Sequence, residues 1–422
     1  MDWANPLALH PTAFYQLLAL PFALLFRSLC TSGSLSPNTR YLLLLAGGGL
    51  LACAAMGPYA LLLFLPAVCS VVIFHSVSPR QVHTCAFVLQ MSWQTLCHLA
   101  LHYREHYLPG APCLRLTIAL SSLMLQTQKV TSLALDIHEG KVTIASEGGE
   151  LPLCSYLLFF PALLGGPLCS FRRFEAQIQC SGASRPAPVL RAVGQKVLHA
   201  LALHLLRTAL RDSAAPLARM TDCAGFGCVY VMWRSALLFR LAYYSQWALD
   251  EALLHAAGFG LQLGHHPGGG ADLSDADIWT LETTHRVALF TRTWNKSTTR
   301  WLRRLIFQRS PAHPLGATFA FSAWWHGLRP GQVFGFLCWA AVVEADYRIH
   351  PFLRSLAKSW QATVLYKALA WVQTQLTIAY ITAAVETRSL TALWLLAASY
   401  NSFFPLLYGA SLLCLPARAR DK

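Results

Sequence analysis

Apolar residues gather along this chain in long runs separated by short polar breaks, and most runs approach the roughly 20 residues a helix needs to cross a bilayer. They predict spans at 7–26, 41–56, 58–77, 82–101, 151–168, 188–210, 223–247, 315–328, 331–348, 361–385 and 389–415. The runs at 41–56, 151–168 and 315–328 are short. The segment 114–135 is apolar but carries Ser121, Ser122, Gln126, Thr127, Gln128 and Lys129. Polar groups at membrane depth must sit inside protein, so this segment is expected to be re-entrant or buried rather than lipid-facing. Met1-Asp2-Trp3 offers no basic leader region, and no small-residue cleavage pattern ends the run through Leu29. The first run is therefore expected to be a membrane helix, bent near Pro21.

Composition sharpens the class. Apolar residues make up 55% and charged residues only 12%, against roughly 25% charged in soluble proteins. The mean hydropathy is +0.43. The expected fold class is all-α, a polytopic membrane protein with about eleven transmembrane helices plus a re-entrant segment. The net charge of +14 need not mean nucleic acid, because Lys and Arg collect in cytosolic loops. With the N-terminus lumenal and 114–135 not crossing, 20 Lys and Arg fall on the cytosolic side and 9 on the lumenal side. That bias predicts a lumenal N-terminus and a cytosolic C-terminus. No repeat and no Pro- or Ser-rich linker divides the chain. Residues 1–422 are read as one membrane-embedded domain, whose longest hydrophilic stretch, 257–314, forms a large cytosolic loop around Gly264-His265-His266-Pro267-Gly268-Gly269-Gly270.

Signatures of serine hydrolases, zinc proteases and nucleotide-binding enzymes are absent. A transporter would be expected to show an internal repeat, and there is none. The 13 cysteines are scattered without a CxxC, and Cys223 with Cys228 reads as packed thiols. His98, His102 and His106 lie at four-residue spacing, but no carboxylate or thiol other than Glu105 completes the set, so they read as interfacial and no metal is expected. His138-Glu139 and His265-His266 read as solvated loop residues.

Two stretches carry candidate chemistry. In Phe319-Ala320-Phe321-Ser322-Ala323-Trp324-Trp325-His326-Gly327 an imidazole stands inside a short apolar span, where an ionisable group is costly unless it faces protein or a cavity. Phe319 and Ser322 precede His326 by seven and four residues and share its helical face. Such a histidine can serve as a general base, or simply be a core histidine bonded to backbone. The second stretch begins at Trp294-Asn295. Trp294, Thr298, Trp301, Leu302, Leu305 and Ile306 form one stripe, and Lys296, Arg300, Arg303, Arg304 and Arg309 supply a basic remainder. This predicts an amphipathic helix at the cytosolic interface, either positive-inside charge alone or a holder for a phosphate-bearing ligand through Arg303 and Arg304. Phe159-Phe160-Pro161-Ala162-Leu163-Leu164-Gly165-Gly166-Pro167 contains a helix-breaking Gly-Gly-Pro, read either as a simple kink or as an opening near a pocket.

Taken in order, these stretches, together with Lys129-Val130-Thr131-Ser132-Leu133-Ala134-Leu135-Asp136, resemble the membrane-bound O-acyltransferase family. The resemblance runs nearly end to end and is weakest at 141–150 and 180–222. It implies a helical bundle with a tunnel through the endoplasmic reticulum membrane, and places the family's paired catalytic positions at Asn295 and His326. It implies transfer of a medium-chain acyl group, octanoyl, from acyl-CoA as co-substrate to a serine hydroxyl of a lumenal peptide hormone precursor. A lysophospholipid or sterol acceptor is the alternative. Phe319 and Ser322 would then line the acyl tunnel, with membrane lipid around the protein.

Overall fold

A computed structural model of the chain describes residues 12–107, 113–144, 149–179, 186–212, 225–259 and 274–415. Among these there is no strand. The helices are α1 (Ala13–Thr31), α2 (Pro37–Met56), α3 (Leu61–Ser76), α4 (Val82–Tyr107), α5 (Leu114–His138), α6 (Leu151–Leu157), α7 (Phe171–Gln179), α8 (Pro186–Asp212), α9 (Phe226–Ala256), α10 (Ile278–Thr283), α11 (Val287–Thr293), α12 (Lys296–Leu305), α13 (Pro314–His326), α14 (Pro330–Leu356), α15 (Trp360–Glu386), α16 (Leu390–Ala398) and α17 (Phe403–Cys414). The chain forms two compact units, Met1–Thr208 with Ala242–Asp275, and Ala209–Leu241 with Ala276–Lys422.

In the first unit α5 packs against α2, α3 and α4. It is one unbroken helix with 16 of its 25 residues buried. The burial expected for 114–135 holds, and the polar residues explain themselves. Gln126 Nε2 donates to Leu63 O at 3.1 Å, and Thr127 Oγ1 donates to Gln94 Oε1 at 2.8 Å. Beside them Gln90 Nε2 donates to Ser70 Oγ at 2.9 Å. Buried polar groups of this kind tie helices together where water cannot. The Gly-Gly-Pro run is a close contact rather than an open space. A Cβ on Gly165 would stand 2.5 Å from Asp250 Oδ2, and Gly166 has φ +99°. Asp250 in turn accepts a hydrogen bond from Gln16 Nε2.

In the second unit α14 is the central helix, packed by α11, α13, α15 and α17. Gly331 and Gly335, spaced GxxxG, let α14 approach α15. A Cβ on Gly331 would lie 2.2 Å from Ala384 O and Thr387 O, and one on Gly335 would lie 2.5 Å from Val385 Cγ2.

By length and apolarity alone four helices are candidate membrane spans, or five with a bent pair. They are Ala13–Thr31, Pro37–Ser76, Ala187–Arg211, Trp360–Glu386 and the pair Leu390–Ala398 with Tyr400–Cys414, which turns by 71°. Two expected spans, 41–56 and 58–77, form one apolar stretch of 40 residues, joined through a 3₁₀ turn at Gly57–Ala60. α5 is not among these candidate spans, because Ser122, Gln126, Thr127, Gln128, Lys129 and Thr131 interrupt its otherwise apolar buried residues. Cys228, expected to be a packed thiol, is disulfide-bonded. Cys223 and His265-His266 lie outside the described residues.

Candidate active site

Asn295 and His326 stand at opposite kinds of helix end. Asn295 is the N-cap of α12, and its Oδ1 accepts a hydrogen bond from Thr298 N at 3.2 Å. Its backbone is left-handed, with φ +47°. Asparagine tolerates that conformation better than most residues. With Oδ1 turned to the cap, the amide NH2 of this half-buried side chain supplies two donors.

His326 is the last residue of α13. The helix closes behind it through Gly327, φ +113°, and Leu328 N donates to Ala323 O at 3.0 Å. Leu328 itself has φ +59°. Among the described residues Asn295 and Leu328 are the two non-glycine positions with positive φ, the first a candidate catalytic residue and the second two residues beyond the other. Backbone strain of this kind costs about 1–3 kcal/mol and collects at functional sites.

The half-buried His326 ring stacks on Phe336, with centroids 4.9 Å apart and planes at 27°. Phe319, buried, lies 6.5 Å from the same Phe336 ring and 5.7 Å from Trp339. Phe319 and His326 thus both make ring contacts with Phe336 of α14. Ser322 is buried, and its hydroxyl donates to Thr318 O at 2.9 Å, one turn back on its own helix. Trp301 of α12 packs on Phe321 and Trp325 of α13, centroids 5.8 and 5.1 Å away, which joins the helix begun by Asn295 to the helix ended by His326.

The basic helix is shorter than expected, Lys296–Leu305, followed by a 3₁₀ turn at Phe307–Arg309. Arg303 is exposed and Arg304 half-buried, both in the last helical turn. There they also complement the negative end of the helix dipole.

Around this frame lies a polar cluster that the sequence reading did not single out. Asp346 of α14 receives Arg286 and the Val287 N–H, and Arg292 Nη2 donates to Tyr347 OH at 2.6 Å. Trp339 Nε1 donates to Thr291 Oγ1 at 2.8 Å. A signal did exist: Asp346 is a carboxylate in an apolar span, the same anomaly that drew attention to His326. Outside the spans, burial lowers the pKa of His285, helped by the nearby His350, Arg286 and Lys367. The Asp277 carboxyl, cap of α10, is held below its usual range by the Thr280 hydroxyl and N–H. Among the described residues no group of His, Cys, Asp and Glu could hold a metal.

Residues 112–383 match the membrane-bound O-acyltransferase family. The chain belongs to that family. It is 55% identical to the membrane-bound ghrelin O-acyltransferase of Mus musculus and 54% identical to that of Rattus norvegicus, over the full length of both chains in each case. It is 29% identical to membrane-bound glycerophospholipid O-acyltransferase 1 of Mus musculus, over 87% of this chain and 81% of that protein. As a member of the family it is a multi-pass membrane protein and an O-acyltransferase.

Proposed function

We propose that this chain moves an octanoyl group from acyl-CoA to a serine hydroxyl of a lumenal peptide hormone precursor, proghrelin. It works as one membrane-embedded domain of the endoplasmic reticulum membrane, with about eleven crossings and a tunnel between the two faces. The acceptor assignment rests on one observation. Likeness to proteins named for ghrelin is 55% and covers both chains end to end, whereas likeness to the glycerophospholipid enzymes is 29% over most of the chain. The second reading, a lysophospholipid or sterol acceptor, draws on the latter group.

The chemistry follows from the two helix ends. The imidazole of His326 takes the serine proton as the serine Oγ bonds to the thioester carbonyl carbon, which is general-base help worth roughly 10²–10⁴-fold. The Asn295 NH2, aimed by its cap, donates to the carbonyl oxygen as negative charge grows there, an effect of about 3 kcal/mol for one such donor. The C–S bond then breaks, and the imidazolium returns the proton to the coenzyme A thiolate. Phe319 and Ser322 line the acyl path. Arg303 and Arg304 meet the phosphates of the donor from the cytosolic side.

The test is acyl transfer by the detergent-purified chain. Octanoyl-CoA is offered with a peptide carrying a serine near its N-terminus and, in parallel, with lysophospholipids. Octanoyl ester on the peptide serine, lost in His326→Ala, is the expected result. Ester on lipid alone would move the chain to the second reading.

A further inference from the structure

We infer that Asp346 is a positioning residue for acyl transfer: from α14 it fixes the start of α11, and through α11 the backbone that presents Asn295. The inference rests on the proposed roles of Asn295 and His326.

Asp346 is fully buried, and both of its oxygens are engaged. Oδ2 accepts from Arg286 Nη2 at 2.9 Å and Nε at 3.1 Å. Oδ1 accepts from Val287 N at 2.9 Å and lies 2.9 Å from His350 Nε2. Val287 opens α11, whose own N-cap residue, Arg286, supplies no side-chain cap. The cap therefore comes from another helix. One turn further along α11, Thr291 accepts from Trp339 Nε1. One turn beyond that, the chain reaches Trp294 and Asn295. On α14, Trp339 and Asp346 are seven residues apart, two helical turns on one face. Phe336, three residues before Trp339, holds the His326 ring. A single face of α14 thus sets the register of both chemical groups, one directly and one through α11. Misplacement of a reacting group by about 1 Å can cost on the order of a hundredfold in rate.

The experiment uses the full-length purified protein and the octanoyl-CoA and peptide assay. Asp346→Ala is expected to lower kcat roughly ten- to hundredfold with the KM for octanoyl-CoA unchanged. Asp346→Asn, which keeps an acceptor for the Val287 N–H, is expected to recover part of that loss. The deciding measurement is a double-variant cycle on residual turnover. If Asp346 acts through Asn295, adding Asp346→Ala to Asn295→Ala brings no further loss. Losses that multiply would overturn the inference, as would a raised KM with kcat intact. Should Asp346→Ala fail to fold, Thr291→Val removes the Trp339 tether, together with the Thr291 hydroxyl's own bond to Val287 O, and leaves Asp346 with its partners. It is expected to lower kcat, again without adding to the loss in Asn295→Ala, and multiplying losses would overturn the inference there too. The two readings fail separately: full turnover in Asn295→Ala alone defeats its catalytic role, whereas the cycle defeats only the positioning role of Asp346.

Discussion

In the proposed chemistry Asn295 has two tasks that substitutions can separate. Its Oδ1 caps α12, and in that chemistry its NH2 donates to the thioester carbonyl. Asp caps a helix as well as Asn does but brings no NH2, whereas Ala provides neither. Asn295→Asp is therefore expected to keep the unfolding temperature close to that of the parent while turnover falls on the order of a hundredfold or more. Asn295→Ala adds a loss of about 1 kcal/mol of stability. Thermal unfolding in detergent, read beside turnover, checks both, and an Asp variant with parental turnover would leave Asn295 a cap and nothing more. At this scale the sequence marked His326 as an imidazole in an apolar span and Trp294-Asn295 as the start of a basic amphipathic stretch, while their pairing as catalytic positions came from the family resemblance. It was silent on the left-handed backbone at Leu328, because a leucine carries no sign that its neighbours will force φ to +59°. It was equally silent on Phe336 and Trp339, whose roles arise from contacts between helices.

Among the elements, α14 shows how small residues and one acid can organise a helix. The Gly331 and Gly335 pair brings it against α15 so closely that no side chain fits. Gly331→Ala would drive a methyl into two backbone carbonyl oxygens, which cannot move as a side-chain tip could. The expected cost is about 1–3 kcal/mol, seen as a lower unfolding temperature in detergent and a lower yield of folded protein. Gly409 in α17 has open space around it, so Gly409→Ala is the control and is expected to be neutral or stabilising. A neutral Gly331→Ala would mean that α14 and α15 are not held at this distance. The existence of most helices was legible from apolar runs, and the burial of 114–135 from its polar residues. The limits of α12 and the 71° turn between α16 and α17 were not, because capping and packing decide where a helix stops.

For the whole molecule, the open structural question is which side each connection faces. Charge gives one answer: with 20 Lys and Arg assigned to the cytosol and 9 to the lumen, the connection between α8 and α9 is lumenal and the hydrophilic stretch 257–314 is cytosolic. That assignment depends on the parity of crossings ahead of α8. Here α5 matters, because an unbroken helix of 25 residues is about 37 Å long and thus long enough to cross a bilayer. The joined stretch Pro37–Ser76 matters equally, because it was expected to cross twice. Glycan attachment reads parity directly, since acceptor sequons are modified only in the lumen. A sequon in a short Gly-Ser spacer placed between α8 and α9 is expected to carry glycan. The same insert within 260–273 is expected to remain bare, with glycosidase-sensitive mobility on a gel as the readout in both. The opposite pattern would reverse every connection from α8 onward. It would also put α12, with Arg303 and Arg304, on the lumenal side, where no acyl-CoA would meet them. The charge bias and the proposed donor site therefore stand or fall together on this one pair of inserts.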